Sequence, residues 1–87
     1  MRAVITVIGK DTVGILAKVS TTCAEAEANI IEVTQSVLQD FFAMVMLIDI
    51  ERLSMELHDL EAKLSESLPG MEIRVMHEDI FNSMHRI

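Results

Sequence analysis

The sequence predicts an α+β fold with the order β-α-β-β-α-β and a short helical tail. Three observations lead there. The apolar spacing switches twice from the alternation of a strand to the period of a helix, about 3.6 residues, once at Gly14 and once after Ser54. Two of the four strand-like segments are apolar on both faces, whereas the other two alternate apolar with polar residues. No internal repeat, linker or low-complexity segment divides the chain, so residues 1–87 read as one small domain.

The first strand is a β-branched run in which Val4, Thr6 and Ile8 alternate with Ala3, Ile5 and Val7. From Gly14 a helix follows, with Ile15, Leu16, Val19, Thr22, Cys23 and Ala26 on its apolar stripe and Lys18, Glu25 and Glu27 outside it. Asp11 or Thr12 is placed to cap its first N–H groups, and Asn29 tolerates the left-handed conformation that ends helices. A second strand sets Ile31, Val33 and Val37 against Glu32, Thr34 and Ser36. Asp40 marks a turn, and Phe41–Ile50 forms a third strand, apolar on both faces up to Asp49. Ser54 suits the N-cap of a second helix, whose stripe is Leu57, Leu60, Leu64 and Leu68 and whose end is Pro69-Gly70. Met71, Ile73 and Val75 alternate with Glu72 and Arg74 in a fourth strand. The tail, about residues 78–87, puts Ile80, Phe81, Met84 and Ile87 on one side of a helix too short to stand alone in water, so it must dock.

With right-handed crossovers this order gives a ferredoxin-like four-stranded antiparallel sheet with two helices on one face. Strands one and three are central, and strands two and four are the edges. The face without helices is expected to show Phe42, Met44, Met46 and Ile48, or their neighbours if the register is one residue off. An apolar surface of that kind calls for cover by a partner or by the tail.

Net charge is −7 and unevenly spread. Residues 1–22 hold three basic and one acidic side chain, a net +2, and the remainder holds four basic and thirteen acidic, a net −9. That acidity speaks against nucleic acid and anionic membranes as partners, since both demand clustered Lys and Arg. The longest apolar run, Phe41–Ile48, is too short to span a bilayer, and Lys10-Asp11 interrupts the first strand's imitation of a signal peptide. Cys23 is the sole cysteine, which excludes an internal disulfide and fits a reducing, cytoplasmic setting.

The stretch V-I-G-K-D-T-V-G-I-L, Val7–Leu16, invites a phosphate-binding reading that fails. A P-loop needs an earlier glycine, where Val4 stands, and a hydroxyl after Gly9-Lys10, where Asp11 stands. The dinucleotide fingerprint fails as well, because Gly9 and Gly14 have no glycine between them. Cys23 sits on an apolar stripe and reads as a small buried hydrophobe. His58, His77 and His85 do not have a metal-ligand spacing, and no nucleophile–base pair is recognisable, so neither a metal, a cofactor nor catalysis is expected.

D-T-V-G-I-L-A-K-V-S, Asp11–Ser20, followed by A-E-A-E-A-N-I, Ala24–Ile30, resembles the ACT domain family. There a first strand enters helix one through an Asp-x-x-Gly-aliphatic-aliphatic turn, and an Asn-Ile pair opens strand two. The resemblance covers essentially the whole chain. It implies a regulatory module that pairs with itself and binds a small amino acid at the interface. Carried over by position, Asp11, Thr12, Val13, Gly14 and Ile15 form the turn, with Asn29 and Ile30 opposite. The chemistry is consistent: a glycine admits close backbone approach, helix N–H groups suit a carboxylate, Asp11 suits an ammonium, and Asn29 donates and accepts. Two positions depart from the family. Val13 replaces a frequent Pro, and Glu27 replaces a helix-ending Gly. Because a side chain resists positive φ, helix one is expected to run on towards Asn29.

The expected function is therefore a non-catalytic regulatory homodimer holding an amino acid or similar small ligand. The alternative is a ligand-free dimeric interaction protein that docks on an enzyme or transporter encoded elsewhere.

Overall fold

The computed structural model describes residues 1–84. Seven elements follow in order: β1 (Arg2–Lys10), α1 (Ile15–Glu25), β2 (Asn29–Leu38), β3 (Phe41–Asp49), α2 (Leu57–Ser67), β4 (Glu72–His77) and α3 (Glu78–Met84). The sheet is antiparallel throughout with strand order β2-β3-β1-β4, so the two doubly apolar strands are central, as their composition requires. This is the ferredoxin-like arrangement, with a helical tail added.

α1 and α2 pack on one face. Ala3, Ile5 and Val7 of β1 point into that layer with Phe42, Met44, Met46 and Ile48 of β3, and all seven are buried. Val19 and Cys23 come down from α1, and Leu60 and Leu64 from α2, to complete an aliphatic core. Of the two registers expected for β3, the structure takes the second: the residues left away from the helices are Phe41, Ala43, Val45 and Leu47. On a strand apolar on both sides, alternation gives two equivalent registers, and only packing against the helices selects one.

Two of the expected caps are also replaced. Neither Asp11 nor Thr12 caps α1; Gly14 occupies the N-cap position with φ 86°, and no side chain bonds there. Ser54 does not cap α2, whose N-cap is Glu56. Instead the Ser54 N–H and Oγ both donate to the Ala26 carbonyl, at 3.0 and 3.1 Å, tying the β3–α2 loop to the end of α1. α1 stops at Glu25 rather than continuing to Asn29, and Glu27, not Asn29, takes the left-handed conformation, with φ 62°.

Gly9 lies inside β1, where a Cβ would come within 2.6 Å of the Met71 sulfur. Its role is clearance for a neighbouring side chain. β2 carries a bulge at Ile31, which drops out of the pairing between Ile30 and Glu32, while Val33 and Val37 keep the expected side opposite Glu32, Thr34 and Ser36.

The two sheet edges are treated differently. β4 is flanked by α2, whose Glu61 carboxylate accepts the Val75 N–H at 2.7 Å. β2, ten residues long, has no comparable cover among the described residues, and only Val33 on it is even half-buried. α3 docks on the sheet face away from the other helices. It lies against β1 and β4, is tied by an Arg2–Glu78 ion pair with Nε to Oε1 at 3.1 Å, and leaves Val4 buried. Ile87, expected on its apolar side, lies outside the described residues, as does His85. At the other end of that face Ile8, Leu38 and Phe41 stay exposed.

Candidate functional site

β1 ends at Lys10, and the chain turns through Asp11–Gly14 into α1. The turn is pinned to the neighbouring hairpin by the Asp11 N–H, which donates to the Asp40 carbonyl at 2.7 Å. Asp11, Thr12, Val13 and Gly14 are all exposed, Val13 almost completely at 96%, whereas Ile15 anchors the helix in the core. Gly14 has open space where a Cβ would stand, yet its φ of 86° disfavours any side chain. The first N–H groups of α1 are left to water or to a ligand, because no side chain among the described residues caps them.

Asn29 and Ile30 are not beside this turn. Asn29 pairs with Asp49, which also pairs with Arg2, whereas Lys10 pairs with Phe41, the partner of Leu38. The seven candidate residues therefore divide between opposite ends of the sheet, separated by the length of β1, roughly 26 Å at about 3.3 Å per residue. Five stand together at one end and two at the other.

Each end has its own concavity. Near the turn, a cleft of about 280 Å³ runs between Lys10, Thr12 and Lys18 on one side and Gly70 and Met71 on the other. At the far end, a cleft of about 460 Å³ is lined by Ser20, Glu27, Asn29, Ile30 and Arg52. Arg52 escaped sequence reasoning, since it lies in an unpatterned loop and meets Asn29 only through the fold. Lys10 and Lys18, at the other cleft, were likewise outside the candidate set.

Cys23 is buried beneath α1, and that burial pushes its thiol up from 9.0 to about 11. Among the described residues no three His, Cys, Asp or Glu side chains converge to hold a metal. His58 and His77 stand at the surface, next to Asp59 at 3.3 Å and Asp79 at 3.6 Å respectively. No helix among the described residues is long and apolar enough to cross a membrane.

The profile of the ACT domain family matches residues 2–77. A UPF0237 protein of Clostridium perfringens is 46% identical over the full length of both chains. A UPF0237 protein of Methanopyrus kandleri is 43% identical over 99% of this chain and 98% of its own. Among solved structures, an ACT domain protein from Streptococcus pneumoniae superposes with a TM-score of 0.75 at 32% identity, covering 98% of each chain.

Proposed function

This chain belongs to the ACT domain family, and on that premise we propose that it is a non-catalytic regulatory module acting as a homodimer with an amino acid bound across the subunit interface. The observation that carries the reading is the division of the candidate residues between opposite ends of one sheet. No single chain can close a small ligand between Asp11–Gly14 and Asn29. Two chains can. Antiparallel pairing of β2 with a second β2, about a two-fold axis at the strand's middle, sets Asn29 of one chain against Leu38 of the other. Leu38 neighbours Phe41 and the hairpin that holds Asp11, so each Asn29 arrives beside the other chain's turn.

The edges support this choice of interface. β4 is covered by α2, while β2 is long, holds Glu32 as its only charge, contains neither Lys nor Pro, and exposes Val37 and Leu38, the latter to 74%. An edge so little defended is a template for another strand. At the turn, the uncapped N–H groups of α1 suit a carboxylate and Asp11 suits an ammonium.

Sedimentation equilibrium with and without a pool of the twenty amino acids tests the reading. A ligand held between two chains stabilises the dimer by linkage, so the dimer tightens with the pool and one amino acid accounts for the effect. A monomer unaffected by the pool would end the proposal. A tight dimer indifferent to it would favour the ligand-free alternative, which the exposed Ile8, Leu38 and Phe41 support as a surface for a protein partner.

A further inference from the structure

The cleft at the Asn29 end is lined by one acidic and one basic residue, Glu27 and Arg52. Among the described residues these two form no ion pair with each other or with any other side chain. Opposite charges facing one concavity without meeting leave room for a group that satisfies both. Asn29 lies beside them with a donor and an acceptor, and the Ser20 hydroxyl with both as well.

Both charges are carried on backbone that is held in place. Glu27 follows directly from the end of α1, where the Glu27 N–H donates to the Ala24 carbonyl at 3.1 Å and the Ala28 N–H to the Cys23 carbonyl at 2.9 Å. Its φ of 62° is a conformation glycine adopts freely and a side chain resists. Strain kept at a surface residue points to a use for its side chain. Arg52 sits in the loop that Ser54 clamps to Ala26, next to Glu27, so the same two hydrogen bonds fix the spacing of the pair.

We infer that Arg52 and Glu27 complete the charge reading of the ligand site from its Asn29 half: beside the second chain's α1 N–H groups the Arg52 guanidinium receives the carboxylate, and beside the second chain's turn the Glu27 carboxylate receives the ammonium, of one zwitterionic amino acid. This rests on the amino-acid reading above and specifies its Asn29 half. Arg is suited to the task because its planar donors take both oxygens of a carboxylate at once. The selectivity that follows is for free amino acids over amines, over carboxylic acids, and over residues within peptides. In the side-by-side dimer the turn of the second chain closes over this cleft.

The test is the rise in melting temperature of the full chain with each of the twenty free amino acids, repeated with the methyl ester and the N-acetyl form of the one that acts most strongly. The wild type responds to the free amino acid and weakly to either derivative. Arg52→Gln and Glu27→Gln each weaken binding roughly tenfold or more, as expected for loss of a charge-assisted hydrogen bond. Arg52→Gln also discriminates less against the ester, and Glu27→Gln less against the N-acetyl form. Glu27→Gly separates binding from folding, since it removes both the carboxylate and the strain: it melts above the wild type without ligand and gains nothing from ligand. Wild-type responses retained in Arg52→Gln and Glu27→Gln would overturn the inference and leave the amino-acid reading standing. A wild type that responds to none of the twenty would overturn both.

Discussion

Cys23 lies on the inner side of α1 with no accessible surface, and its thiol is raised from 9.0 to about 11 by burial alone. The sign of the consequence follows from linkage. Below pH 9 the thiol is protonated in both the folded and the unfolded chain and has no effect. Between pH 9 and 11 the unfolded chain gives up the proton and the folded chain keeps it, so stability falls as pH rises. Melting curves across that range should decline more steeply for the wild type than for Cys23→Ala, whatever the variant's stability at neutral pH; parallel declines would contradict the account. The apolar stripe was enough to read Cys23 as a buried hydrophobe. The caps were not legible in the same way. Asp11, Thr12 and Ser54 have the right side chains, but which residue becomes a cap depends on where the backbone turns. Gly14 makes that turn for α1, and Ser54 is drawn instead to the Ala26 carbonyl.

Among the elements, α1 and α2 were legible as helices from period alone, yet their stripes contain residues of unequal weight. Leu64 is fully buried between α2 and the sheet, whereas Leu16, on the stripe of α1, is 37% exposed. Leu64→Ala should cost about 2–5 kcal/mol, the range for a buried Leu that leaves a cavity. Leu16→Ala should cost clearly less, because part of its surface never leaves water. Denaturant titrations of the two variants measure the difference, and equal losses would show that α1 packs more deeply than described. β3 illustrates the limit of pattern reading. Its strand character was plain, but Phe42, Met44, Met46 and Ile48 are chemically interchangeable with the residues between them, so no alternation marks the inner face. The bulge at Ile31 left no trace in the sequence either, since Ile31–Val37 reads as an unbroken alternation.

At the scale of the whole molecule, strand order was legible from which segments are apolar on both sides, because only central strands are covered on both flanks and hold such residues. The candidate residues could be picked out by type, but their places could not. Pattern puts Asn29 after α1 and Asp11 before it, and only the running direction of the helix reveals that they occupy opposite ends. In the proposed side-by-side dimer, that opposition would give each site one wall from each subunit, and damaged subunits could then repair one another. A chain disabled at the turn by Gly14→Val and a chain disabled at the other end by Asn29→Ala would each bind nothing as a pure population. Mixed and allowed to exchange subunits, they form hybrids in which one site inherits both lesions and its twin inherits none. Titration of the mixture should recover that intact fraction, and two defective alleles in one cell would behave as a partly functional gene.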